Sequence, residues 1–165
     1  MSYSFFFEGG LDNSYFFKTN DEIIYEVIFK PTPYLFGDEK SIFSDLIFEF
    51  SILVHFNPND KLPAADSKIG ATSAEIFKNF YLKNGNNITI YICDSSDDKQ
   101  SIRKRKFDIW FTKYNGTDFF KIDKVLVDAQ DNRFPISLIL KDTNHFRLEI
   151  IDSFTTLINQ NNNNK

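Results

Sequence analysis

The sequence predicts an α+β fold: a mostly antiparallel sheet of about seven strands with three helices packed on one face. Three observations lead there. Short aromatic and β-branched runs are separated by turn formers, the pattern of hairpin strands. Three longer stretches repeat apolar residues at helical spacing. The two kinds of segment are grouped: four strands, a helix, a strand, a helix, two strands and a helix.

Tyr3 to Glu8 and Ser14 to Thr19 read as a hairpin, because Gly9-Gly10-Leu11-Asp12-Asn13 between them is rich in turn residues. A third strand, Ile23 to Phe29, stops at Pro31 and Pro33, since proline cannot donate to a ladder. Tyr34-Leu35-Phe36-Gly37 is an apolar loop, expected as a lid over the edge of the core. Phe43 to Phe56 forms a long strand with Phe48, Phe50, Ile52, Val54 and Phe56 on one face by period two. The first helix is placed at Thr72 to Lys83 on a Thr72–Glu75 capping box, with an earlier start near Asp66 as the alternative. Ile76, Phe77, Phe80 and Tyr81 give its buried stripe.

Ile88 to Cys93 is the most regular strand, closed by the polar run Asp94 to Asp98. A helix then spans Lys99 to Tyr114, with Ser95 and Asp98 resembling a capping box. Phe107, Trp110, Phe111 and Tyr114 share one face at about 100° per residue, so Trp110 is expected in the core. Arg103 falls on that same face. A cation there needs a partner, and Asp94 is the nearest in sequence. Phe119 to Val127 and Phe134 to Leu140 form a further hairpin. The last helix should start near Asn144 and run to about Asn159, burying Leu148, Ile151, Phe154, Leu157 and Ile158. Residues 1–160 read as one domain, and Asn161 to Lys165 as a disordered Asn-rich tail with nothing apolar to bury.

Tyr91-Ile92-Cys93-Asp94-Ser95-Ser96-Asp97, followed by Gln100, Arg103, Arg105, Phe107 and Trp110-Phe111, resembles the signature of a family of short, uncharacterised bacterial proteins classed as a domain of unknown function. The N-terminal Tyr-x-Phe pattern and its hairpin are similar too, so the resemblance extends over most of the chain. It implies a single small domain and carries no activity, substrate or catalytic residue.

Composition narrows the functional classes. Hydrophobic content of 42% and charge of 25% are those of a soluble globular protein. The 20 phenylalanines, beside abundant Ile, Asn and Lys, reflect compositional drift toward AT-rich codons more than a stacking surface. A net charge of −4 argues against non-specific nucleic-acid binding. One cysteine excludes an internal disulfide and fits a reducing cytoplasm. No signal peptide or membrane span is read, so the expected location is cytoplasmic.

Chemistry is sparse. His55 and His145 lack a nucleophile partner in any local signature, and Cys93 ends an apolar strand as a small buried hydrophobe. Asp94, Asp97 and Asp98 do not have the spacing of a calcium loop, so neither metal nor cofactor is assigned. Lys99, Arg103, Lys104, Arg105 and Lys106 form the one basic cluster, but four aspartates between Asp94 and Asp108 nearly balance it. The candidate ligand- or partner-binding residues are Asp94, Ser95, Asp97, Arg103 and Arg105, where a strand's carboxyl end meets a helix N-terminus. The leading functional expectation is a non-enzymatic cytoplasmic domain that binds another protein. The alternatives are a ligand-binding or enzymatic domain using Asp94 to Arg105, and nucleic-acid binding through Lys99 to Lys106.

Overall fold

The structure is a computed structural model that describes residues 1–37, 41–61, 63–93 and 99–163. Its elements are β1 (Phe5–Gly9), β2 (Ser14–Lys18), β3 (Ile24–Pro31), β4 (Ile47–Phe56), α1 (Ser67–Lys83), β5 (Ile88–Ile92), α2 (Gln100–Tyr114), β6 (Phe119–Val127), β7 (Arg133–Lys141) and α3 (Arg147–Asn163). The strands form one seven-stranded sheet in the order β1-β2-β3-β4-β5-β7-β6. Every pairing is antiparallel except β4 with β5, where α1 carries the chain back to start a parallel neighbour. The α+β class is therefore as expected. Among the described residues no helix is long and apolar enough to cross a membrane.

The helices do not share one face. Alternation along β5 and β7 sends Tyr91 and Ile139 one way, and Ile88, Ile90, Ile136, Leu138 and Leu140 the other. The first side meets α1 and α2 in an aromatic core, where Phe29 stacks on Phe80 at 3.9 Å and Tyr91 meets Phe107 at 4.1 Å. The second side meets α3 in a mostly aliphatic core through Ile150, Phe154 and Ile158. A strand run apolar at both parities can only be buried on both sides. The apolar loop does close an edge, with Phe36 edge-on to Phe43 and Phe154.

Several boundaries move for local reasons. α1 starts at the earlier site, because the Asp66 carboxylate accepts the Lys68 N–H at 2.8 Å. Thr72 is inside the helix, donating to the Lys68 carbonyl and accepting the Tyr3 N–H. A register shift between Val54 and Phe56, where β3 meets the end of β4, breaks the expected alternation at Phe56, and both Val54 and Phe56 stand exposed. On α3 the buried stripe is Ile150, Phe154 and Ile158, while Leu148 faces solvent. The tail expectation is corrected through Asn163. α3 runs that far, and the Asn162 side chain accepts the Val127 N–H at 3.0 Å and donates to the Val125 carbonyl at 3.1 Å. A polar side chain with nothing apolar to bury can still dock on an open strand edge.

Candidate functional site

α2 lies across the first core with Phe107 as its one fully buried residue. Trp110 and Phe111 pack against the same core, but Trp110 is only partly buried. Its indole roofs Gly70 of α1 so closely that a Cβ there would stand 2.5 Å from Nε1. Between the two helices remains an apolar pocket of about 60 Å³ bordered by Trp110, Phe111, Tyr114, Ala74 and Phe77. That is well below the roughly 150 Å³ that admits a benzene ring.

Asp94, Ser95 and Asp97 lie outside the described residues, as does the Ser95–Asp98 capping box. The two remaining candidates are not brought together. Residues two apart on a helix point to different sides. Arg103 is half-buried, with its charge near Tyr91 and Cys93 at the end of β5. Arg105 is exposed and borders an open groove.

Beneath the N-terminal half of α2 is an ion network that the sequence did not signal. Lys104 Nζ sits 2.6 Å from Asp108 Oδ1 and 3.1 Å from Asp123 Oδ1. Lys121 Nζ sits 2.7 Å from Asp108 Oδ1 and 2.6 Å from Asp123 Oδ2. The Ser137 hydroxyl donates to Asp123 Oδ1 at 2.6 Å. Burial alone would depress the Lys104 ammonium, yet its bonds to Asp108 and Asp123 together hold it above its ordinary value. Burial likewise pushes Asp123 up, and Lys121, Ser137 and Lys104 together outweigh it and hold the carboxyl down. Two cations and two anions alternate and cancel, so this cluster ties α2 to β6. The trace it left in the sequence is Lys121 and Asp123 at period two, on the same side of β6 as buried Phe119.

Burial raises the Cys93 thiol above its usual range and outweighs a lowering hydrogen bond from Tyr91. A neutral thiol that is 1% exposed is a poor nucleophile. His55 lies on an exposed strand end, 3.3 Å from Glu26 Oε2 and edge-on to Phe16. His145 is exposed in the turn before α3. Among the described residues no three His, Cys, Asp or Glu side chains gather as metal ligands.

The outward side of α2 is the distinctive surface. Ile102 is 68% exposed and Ile109 54%, seven residues apart and therefore on one stripe. Exposed Arg105, Lys106 and Lys113 surround them. Beside the stripe runs an open groove of about 610 Å³, bordered by Arg105, Asp108, Ile109, Thr112, Lys113 and Pro135. Over Gln100–Tyr114 five basic residues meet one acidic, giving +4 within a chain of net −4. Of the basic cluster in the sequence, Lys104 is paired within the network, while Arg105 and Lys106 are exposed and stand among apolar side chains. Those isoleucines carried a sequence signal, an i, i+7 apolar pair outside the Phe107–Trp110 face.

A model of a family of unknown function, DUF6169, matches residues 65–156. The match covers more than half of the chain, which therefore belongs to that family. The N-terminal hairpin, expected to share the resemblance through its Tyr-x-Phe pattern, lies outside the matched residues. No curated protein and no solved structure matches the chain.

Proposed function

We propose that this DUF6169 member is a non-enzymatic protein-binding domain that receives an acidic, partly apolar segment of its partner along the outward face of α2. The observation that carries the reading is the stripe Ile102–Ile109 standing exposed among Arg105, Lys106 and Lys113. Burying one isoleucine side chain fully is worth roughly 1.5–3 kcal/mol, so two half-exposed ones supply a useful anchor. The surrounding cations steer an acidic partner and fix its register. Nucleic acid fits less well: a phosphate backbone offers nothing apolar to Ile102 and Ile109, and Lys104 is already neutralised within its network. A bacterial cytoplasmic setting belongs to the same reading, in keeping with a lone cysteine held as a buried neutral thiol.

The test places a photo-crosslinking residue at Ile109 in the full chain, identifies the captured protein, and titrates the purified pair. Ile109→Glu and Arg105→Glu should each weaken binding at least about tenfold, and added salt should weaken it further. Wild-type affinity in both variants, or a captured segment without acidic residues, would refute the reading.

A further inference from the structure

The two edges of the sheet are finished differently. On β6 the Asn162 amide takes the Val127 N–H and the Val125 carbonyl, occupying the place of a neighbouring strand. Asp123 and Lys124 add charge to that strand. β1 is the opposite edge. Phe5, Phe6 and Phe7 carry no charge and no proline, the two residue-level devices that usually blunt an open edge. No hydrogen bond from another described residue reaches them beyond the β2 ladder. The register shift of β1 sits past them, between Phe7 and Gly9. Phe6 is 62% exposed although stacked on Phe16 at 5.6 Å, and Phe7 is 45% exposed.

We infer that two copies of this chain pair through β1, antiparallel about a two-fold axis at Phe6, so that their sheets join edge to edge. An unprotected edge needs a strand, and this strand complements itself. The two-fold sets Phe6 against Phe6, Phe5 against Phe7 and Ser4 against Glu8. Aromatic rings meet aromatic rings across the junction, which stabilises antiparallel pairs. No like charges meet, although each copy carries a net −4. The strand itself is uncharged from Phe5 to Phe7, and the Lys83 ammonium stands 2.9 Å over the Phe7 ring, so this is where two acidic molecules can approach. This contact does not depend on the α2 reading, because the Ile102–Ile109 stripe and the β1 edge share no residue.

The test uses the full chain. Sedimentation velocity up to about 1 mM should show a concentration-dependent dimer. Opposed Cα atoms in an antiparallel pair lie about 4.5–5.5 Å apart, inside the roughly 4.4–6.8 Å that a disulfide spans. Phe6→Cys should therefore oxidise to a covalent dimer, while Leu11→Cys, 92% exposed in the adjoining turn, should not. Cys93 is buried and does not compete. Phe6→Lys should raise the dimer dissociation constant at least about tenfold with its circular dichroism unchanged. If Phe6→Lys fails to fold, Phe6→Cys decides. Ile109→Glu should leave the dimer intact. A wild type monomeric at every concentration overturns the inference and leaves the edge to a foreign strand. So does oxidation of Leu11→Cys as fast as Phe6→Cys, or a dimer lost in Ile109→Glu.

Discussion

Gly70→Ala tests how α1 and α2 are held together. A glycine inside a helix costs about 1 kcal/mol relative to alanine, so in open space the substitution stabilises. Here the new Cβ would lie 2.5, 2.7 and 2.9 Å from Nε1, Cδ1 and Cε2 of Trp110. Favourable carbon contacts begin near 3.5 Å, so the indole or the whole of α2 must retreat by about 1 Å. Overpacking of that kind costs about 1–3 kcal/mol. The net expectation for Gly70→Ala is a loss of about 0–2 kcal/mol. With Trp110→Ala already present the clash is gone, and Gly70→Ala should then stabilise by about 1 kcal/mol. The sign of the substitution reverses with the indole, and the coupling over the cycle is about 1–3 kcal/mol. Urea unfolding of all four members, followed by far-ultraviolet circular dichroism, reads it directly. Equal stabilisation in both backgrounds, with coupling within about 0.5 kcal/mol of zero, would show that the helices are not locked at this contact.

Two further outcomes are expected. Asn162→Ala, or truncation after Gln160, should cost about 1–2 kcal/mol by leaving the Val127 N–H and Val125 carbonyl without their partner; an unchanged urea midpoint would mean that the α3 terminus does not dock. Alkaline stability should fall in a defined window: burial pushes Tyr15 up to about 12 from 10.0 in the unfolded chain, so folding loses nothing below pH 10 and up to about 2.7 kcal/mol as pH rises toward 12. Tyr81 and Tyr91 are shifted the same way by burial and steepen the decline, and ionisation of all tyrosines near pH 10 without unfolding would contradict this.

Strands were legible wherever one parity is apolar and turn residues bound the run. β6 begins and ends where its alternation says, and β7 extends by one residue at each end. The side a helix covers was not legible. Ile88, Ile90, Ile92 and Tyr91 read as one apolar run, and such a run does not say which element lies on which face. α1 offered two caps, Asp66 and Thr72. Ile69, on the buried stripe, is what decides for Asp66. Gly70 carried no signal of its own, because its role depends on Trp110, forty positions later. The candidate site divided for a simple reason: Arg103 and Arg105 look adjacent in sequence and stand on different sides of the helix. The lysine–aspartate network was hidden because two of its members are on β6, and only the fold brings that strand under α2.

The family match begins at residue 65, one residue before the Asp66 cap of α1, and ends within α3. That segment cannot complete its own sheet. β5 is an interior strand, joined to β7 on one side and on the other to β4, through Ile47–Ile88, Phe48–Thr89 and Glu49–Ile90. Without residues 1–64 it would present a bare edge, and the first core would lose Tyr15, Phe17, Val27, Phe29 and Phe50. Phe29 alone is stacked on Phe80 of α1 at 3.9 Å, and emptying so buried an aromatic site costs about 3–5 kcal/mol. The N-terminal strands are therefore a structural half of the same sheet, although the family model does not reach them. The two proposed contacts divide along the same line. The α2 stripe is built within the matched segment, while the open β1 edge is carried by strands outside it. A chain that kept the matched segment but sealed β1 with charge or proline would retain the α2 surface and lose self-pairing, because the two share no residue.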